Sequence, residues 1–323
     1  MALNSLAARL SIRYDQLGQM EDLNDAILLG RDALVLRPPG HPGRSQLLNN
    51  LSIRLSTRYN QLGAIEDLDE AIALARDALA LCPPGHPSRS SSLSNLAGHL
   101  FAQYKQLGWV QGLNEAIVLG RDALALSAPG RPDRSAPLNN LAVYLCNRYN
   151  ELGEIEDLNE AISLDRGALA LRPPGHPDRS MSLNNLAIRL ATRYSMLGEI
   201  EDLNEAIVLD RDAVSLRPLG HPDRSSSLGT LAVYLSTRCK QLGTMEDLDE
   251  AIVLGQDALA LCAPGHPDRS ISLKNLATHL ATRYNQLEEI EDLNEAISLD
   301  RDALTLRPPG HPYRSESLNN LAA

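Results

Sequence analysis

Aromatic residues make up 3% of this 323-residue chain, with one Trp and one Phe. A core therefore has to be built from Leu, Ile, Val and Ala, which suits close packing of helices. Cysteine is equally scarce: Cys82, Cys146, Cys239 and Cys262 fall at no CxxC spacing, which argues against a zinc site or a disulfide framework and for reduced, buried or half-buried thiols. No stretch approaches the roughly 18 consecutive apolar residues of a membrane span. Basic charge is in deficit, with 30 Lys plus Arg against 41 Asp plus Glu and a net charge of -11. That balance opposes general attraction to nucleic acid or to an anionic membrane, though it leaves room for a local basic groove. The opening "MALNSLAARL" lies in register with "QLLNNLSIRL" and lacks a targeting segment's basic start and long apolar run. An intracellular, cytoplasmic protein is the expectation.

What the chain does have is repetition. Gly40, Gly85, Gly130, Gly175, Gly220, Gly265 and Gly310 are each 45 residues apart, and the text between them repeats as well. A fixed period of this size marks a repeat architecture. Residues 1–323 are accordingly read as a single solenoid of about seven units, beginning and ending within the first helix of a unit and incomplete at its ends.

Within one unit, Leu183, Leu186, Ala187, Leu190, Tyr194 and Leu197 recur at spacings of three and four, as do Leu203, Ala206, Ile207, Ala213 and Leu216. Each set is one buried helical stripe. Pro177 suits a first helical turn, Gly198 supplies a permissive joint, and Asp202 with Glu205 has capping-box spacing. Every unit is thus expected to be an antiparallel pair: helix A of about 20 residues and helix B of about 16. A lone pair cannot bury both stripes. Stacking does so, and a small rotation per unit generates a right-handed superhelical α-solenoid, all-α, with an extended concave face.

"NLAIRL" and "EAIVLDRDAVSLRP" resemble the tetratricopeptide (TPR) pattern, with Leu186, Ala187, Leu190, Ala206, Ala213 and Pro218 in its signature places. The usual TPR unit has about 34 residues; the excess here lengthens helix A, its turn and the loop between units. "HPDRSMSLNNLA" resembles the long repeats of kinesin light chains, and the whole wording resembles TPR arrays of basidiomycete fungi that are often joined to a caspase-like CHAT peptidase domain. The resemblance implies a protein-binding scaffold.

In helix A, Asn50, Asn95, Asn140, Asn185, Asn275 and Asn320 precede a Leu, with Ser5 and Thr230 as exceptions. In TPR families this column commonly faces the concave groove, where an amide can donate to and accept from a peptide backbone at once. The other reading is that it bonds a neighbouring helix. Arg54 and Arg58, and Arg189 and Arg193, follow one and two turns later; His99, Tyr144, Tyr234, His279 and Gln103 replace them elsewhere. Either these guanidinium groups receive acidic ligands, or they cover apolar faces and pair with the acids of helix B. Trp109 takes a turn position held elsewhere by small or polar residues, as a surface anchor or a cover for the turn.

His41, His86, His176, His221, His266 and His311 occur one per unit and are read as turn-packing residues, because Arg131 replaces one of them. The acids of "EIEDLNEAI" fit a helix N-terminus better than a metal site, and no nucleophile with its base or phosphate-cradling glycine loop is present. No catalytic residue, metal or cofactor is assigned. The leading function is a non-catalytic scaffold holding an extended, acidic segment; the alternative is a regulatory or sensor arm of a larger signalling enzyme, such as a CHAT-domain peptidase. Self-association through uncapped ends is a further expectation.

Overall fold

The computed structural model describes residues 2–308, 310, 314, 315 and 318. Among them are fourteen α-helices and one 3-10 turn, Pro132–Arg134, with no strand. The chain divides into two compact units, residues 1–171 and 172–323. Unit 1 holds four helix pairs: α1 (Ala2–Leu17) with α2 (Met20–Val35), α3 (Arg44–Leu62) with α4 (Ile65–Ala80), α5 (Arg89–Leu107) with α6 (Val110–Ala125), and α7 (Ser135–Leu152) with α8 (Ile155–Ala170). Unit 2 holds three: α9 (Arg179–Leu197) with α10 (Ile200–Ser215), α11 (Arg224–Leu242) with α12 (Met245–Leu261), and α13 (Arg269–Leu287) with α14 (Ile290–Thr305). Each unit is a stretch of α-solenoid, in which a pair packs on itself and then on its neighbour.

The expected lengths hold, with 19 residues in α9 and 16 in α10. The stripes hold in the body of each helix, where Leu183, Leu186, Ala187, Leu190, Leu203, Ala206, Ile207 and Ala213 are buried, but not toward the ends, where Tyr194 is half-buried and Leu197 and Leu216 are exposed. Burying a leucine is worth roughly 1.5–3 kcal/mol, and nothing but stacking removes these faces from water. The joint between helices A and B is a left-handed C-cap. Gly198 has φ +74°, and its N–H donates to the Tyr194 carbonyl at 2.7 Å. Glu288 takes the same place in the last pair at φ +57°, the one non-glycine described residue with positive φ.

The breaker between pairs is also explained atom by atom. After Gly175, in a left-handed conformation at φ +89°, His176 turns its Nδ1 back to accept the N–H of Asp178 at 3.1 Å. The same bond recurs at His41, His86, His221 and His266, so the imidazole is a turn clasp. The arginine that follows reaches back to the end of the preceding helix B. Arg89 donates to the Cys82 carbonyl at 2.6 Å and Arg134 to the Leu124 carbonyl at 2.8 Å. Carbonyls at a helix C-terminus lie at the negative end of its dipole, where a cation is favourable, and the Leu124 carbonyl also accepts the Ser127 N–H at 3.2 Å.

Two local expectations are corrected. Helix α9 starts at Arg179, so Pro177 lies in the turn before it, and Asp178 in the N-cap place makes no side-chain capping bond. In α10 the N-cap is Glu199, and Asp202 sits inside the helix. Its carboxylate accepts both fork nitrogens of Arg193, each at 2.7 Å, instead of closing a capping box.

That fork recurs as a polar tie between the two helices of a pair. Arg13 grips Asp22, Arg58 Asp67, Arg148 Asp157, Arg238 Asp247 and Arg283 Asp292 in the same bidentate way, at 2.5–2.7 Å. The bond to Arg238 holds the Asp247 carboxyl below its ordinary range, as Arg283 does for Asp292. The α5–α6 pair lacks the fork, because Gln103 and Gly112 stand in the two places and Gln103 turns to Asp69 at 3.2 Å. A Cβ on Gly112 meets nothing closer than the Leu100 carbonyl at 3.5 Å, so an aspartate fits.

Two stability outcomes follow, both read from thermal or urea unfolding. Glu288→Gly relieves a left-handed side-chain residue and stabilises by about 1 kcal/mol. The double variant Gln103→Arg, Gly112→Asp installs the missing fork and removes a helix-interior glycine, raising stability by about 1–2 kcal/mol; an unchanged or lowered midpoint contradicts the assigned role of the fork.

Candidate functional site

The A helices of each unit share one face, and the asparagine column lies on it. Asn50, Asn95, Asn185 and Asn275 are half-buried and Asn140 is exposed, while Asn320 lies outside the described residues. The side-chain amides of Asn50, Asn95, Asn140 and Asn275 make no hydrogen bond within the described residues; Asn185 is already engaged within the chain. The column just before them behaves differently. Asn49 donates to Ser92 at 2.7 Å, and Asn184 accepts from Arg217 at 2.9 Å. At Asn49 and Asn184 the first residue of the Asn-Asn pair thus bonds to a neighbouring helix pair, a role the Asn50 amide does not share. One turn beyond stand exposed or half-buried aliphatic side chains, among them Ile53, Val143 and Ile188.

Shallow clefts open between α1 and α3, between α5 and α7 and between α11 and α13, and an asparagine lines each of them. The cleft between α1 and α3, about 260 Å³, contains Asn50 with Ile12, Ile53 and Thr57. Between α5 and α7 the cleft at Asn140 is largely filled by Tyr144. Unit 2 has two clefts between α11 and α13, of about 330 and 210 Å³, both bordered by Asn275.

The arginine columns lie under or beside this face. Arg54 is 6% exposed and Arg189 4%. Arg54 donates from Nε to the Ser11 hydroxyl at 2.9 Å, and burial lowers its pKa. Arg189 donates to the carbonyl of Asn185, one turn back in its own helix. Arg58 and Arg193 direct both fork nitrogens into Asp67 and Asp202, and Arg58 also donates to Asn24 of α2 at 3.0 Å. Arginine here is chiefly a structural cation.

The Arg54 column is matched in size by the helix B packed beneath it. A Cβ on Gly30 would come within 3.2 Å of the Arg54 guanidinium, one on Gly120 within 3.8 Å of the Tyr144 ring, and one on Gly255 within 3.7 Å of His279. The large side chain above takes up the room that glycine leaves below. His99 and His279 are buried here, and desolvation pushes both down to about 4, so both are neutral at pH 7. At Asp210 the match fails. It is 0% exposed, and neither carboxylate oxygen has a hydrogen-bond partner.

A likeness to solved structures accompanies this geometry. No protein-family model matches the sequence, and no curated protein is similar enough to match it. Among solved structures, the C-terminal part of a TPR repeat-containing protein from Cytophaga hutchinsonii aligns over 96% of this chain and 98% of its own, at 13% identity and a TM-score of 0.58. The fold is TPR-like. BtubC (BKLC) from P. vanneervenii matches 76% of this chain and 92% of its own, at 18% identity and a TM-score of 0.50. Putative kinesin light chain TPR-like repeats from Podosopora anserina match 69% of this chain and all of theirs, at 25% identity and a TM-score of 0.48.

Other features of the TPR-like array fall outside the helix-A face. Trp109 is 58% exposed at the N-cap of α6, on the A–B turn. Cys82, Cys239 and Cys262 are buried free thiols, and Cys82 and Cys262 occupy the place that Arg172 and Arg217 fill against Ser182 and Ser227. Among the described residues no group of three or more His, Cys, Asp or Glu could hold a metal ion, and no helix is long and apolar enough to cross a membrane. Sequence reasoning passed over Lys240 and Lys274, which line one cleft of unit 2. Their rarity was the available signal, because the chain has only three lysines.

Asp210 generates a pH outcome. Burial pushes its carboxyl up to about 7, with Arg217 opposing, against 3.8 when unfolded. Its folded-state pKa is raised, so between about pH 4 and pH 7 the unfolded state releases a proton that the folded state keeps. Stability therefore falls as pH rises through that window. Asp210→Asn removes the penalty: its unfolding free energy from urea titration coincides with the parent's near pH 4 and exceeds it at pH 8 by about 3–4 kcal/mol. Equal pH dependence in both proteins contradicts this.

Proposed function

We propose that the chain is a non-catalytic protein-interaction scaffold whose helix-A face holds an extended polypeptide segment. The reading rests on one observation above all: the outward amides of Asn50, Asn95, Asn140 and Asn275 have no partner within the described residues, and clefts open beside Asn50 and Asn275. An amide offers a donor and an acceptor together, the same pair that a peptide unit offers in return. A ladder of them grips main chain, and the clefts between A helices take alternate side chains. TPR-like solenoids present extended surfaces suited to this work. We read the units as TPR repeats lengthened to 45 residues, with the arginines of the Arg54 and Arg58 columns shaping the face from below while the asparagines make contact.

Main-chain recognition has a distinctive test. Peptides selected on the intact protein from a random extended library should lose binding when their backbone amides are N-methylated, and tolerate most single side-chain changes. The triple variant Asn50→Ala, Asn95→Ala, Asn140→Ala, with helicity intact, should weaken peptides that bind unit 1 by roughly tenfold or more. Equal binding by the triple variant, together with indifference to N-methylation, contradicts the ladder.

A further inference from the structure

We propose that the edge of unit 1 built from its A–B turns docks a basic amphipathic α-helix of a partner protein, with Trp109 at the centre of the contact. The site lies apart from the helix-A face and stands independently of the peptide-groove reading.

Each helix A ends on a leucine directly before the left-handed residue of the turn. Leu62, Leu107 and Leu152 hold that place in α3, α5 and α7, and all three are exposed. Two hydrogen bonds tie these ends side by side: the Tyr59 hydroxyl donates to Gln106 Oε1 at 3.2 Å, and the Tyr104 hydroxyl to Glu151 Oε1 at 2.6 Å. The two acceptor residues directly precede Leu107 and Leu152. The leucines therefore form a row along one edge, in steps of about 10 Å, the interaxial spacing of packed helices. Trp109 follows the middle leucine by two residues. Its indole makes no hydrogen bond and no ring contact among the described residues. An uncovered indole beside a row of exposed leucines is the kind of anchor that a partner buries.

Charge selects the occupant. The first turns of α4 and α8 carry Glu66 with Asp67 and Glu156 with Asp157, whereas α6 opens on Val110, Gln111 and Gly112 and has no acid there. Trp109 thus sits in an uncharged gap between two acidic turns. Asp67 and Asp157 are closed into forks, but Glu66, Glu154 and Glu156 are exposed and form no ion pair among the described residues. Glu154 acts on Arg148, which is already held by Asp157. The exposed cation next to the gap is Lys105, in the last turn of α5, on the helix-A side. A fitting partner is therefore apolar along its middle and basic on the flank that faces the B helices. A second copy of this chain, at net charge -11, brings the same sign of charge, and an anionic membrane is repelled by the same acids.

The spacing selects the conformation. In an extended chain, side chains on one face recur every 6–7 Å or about 13 Å, which straddles the steps of the leucine row. In an α-helix, residues seven apart share a face and lie about 10.5 Å apart, in step with it.

The protein's single tryptophan reports on its own site. The probe is an end-capped, labelled three-heptad peptide, roughly 30 Å long as a helix, with one Leu per heptad, Ala beside it, Lys along one flank and Gln elsewhere. One control carries Glu in place of Lys, and another has the same residues scrambled. With the intact protein, the Lys-flanked peptide should shift Trp109 emission to the blue, gain helicity and bind roughly tenfold or more tighter than either control by anisotropy. Trp109→Glu, which restores the acid found at Glu154, and the pair Leu62→Gln, Leu152→Gln should each cost about tenfold in affinity. Glu66→Gln with Glu154→Gln should erase most of the preference for Lys over Glu. The groove variant Asn50→Ala, Asn95→Ala, Asn140→Ala should bind this peptide as the parent does. Equal binding of the Lys and Glu peptides, undiminished binding by Trp109→Glu, or binding without gain of helicity overturns the proposal. So does a blue shift that appears on raising the protein concentration alone, which marks a second copy as the occupant, or one that only lipid vesicles produce, which marks a membrane.

Discussion

A planar guanidinium on helix A holding a nearly buried carboxylate on helix B is the polar contact that recurs most regularly in this protein. The two side chains meet in six of the seven pairs, always nine residues apart across the turn. Desolvating a carboxylate is costly unless its partner satisfies both oxygens, and a bidentate fork does that where a single ammonium would not. The same guanidinium reaches one pair further back: Arg58 to Asn24, Arg148 to Asn114, Arg238 to Asn204 and Arg283 to Asp249. One residue therefore fixes the angle within a pair and its stacking on the previous pair. Exposed ion pairs between successive B helices, such as Arg31 with Glu70 and Arg76 with Glu115, add little by comparison.

Because the forks run beside the helix-A face, that face does not have to hold the stack together. Asn49 and Asn184 serve the stack, whereas the side-chain amide of Asn50 makes no hydrogen bond within the described residues. The repeats are also not interchangeable beneath the face. Glycine under Arg54, Tyr144 and His279 accommodates three different side chains with one backbone geometry, whereas Asp210 under Tyr234 leaves a carboxyl without a partner. Burial, with the nearby Asp210 carboxyl adding to it, raises the Tyr234 phenol as well. The backbone repeats closely while chemistry varies from cleft to cleft, which is how a monotonous solenoid acquires sites that differ.

Much of the architecture was legible in the chain itself. The 45-residue spacing, the two stripes per unit and the left-handed glycine at Gly198 all follow from local periodicity and backbone preference. The fork was harder, because Asp202 at the start of a helix has an ordinary local explanation and its actual partner lies across the turn on another helix. The arginines admitted two readings from sequence, and the forks bear out the one in which they pair with the acids of helix B; what sequence did not show is how deeply Arg54 and Arg189 are buried. The histidine was read correctly as a turn device, as its repeated Nδ1 bond shows, and Arg131 in its place makes two bonds to Asp133 instead. Lys240 and Lys274 escaped notice because they lie 34 residues apart, in different repeats, and only the stacking of α11 on α13 brings them to one cleft.

The most direct measurement is a double-mutant cycle on one fork, comparing Arg58→Ala, Asp67→Ala and the double variant by urea unfolding. If the fork is the organising contact, the two residues couple favourably by about 1–3 kcal/mol, and either single variant costs more than half of what the double variant does. Additive losses, with coupling near zero, would mean that apolar stacking alone sets the geometry and that the forks merely decorate it.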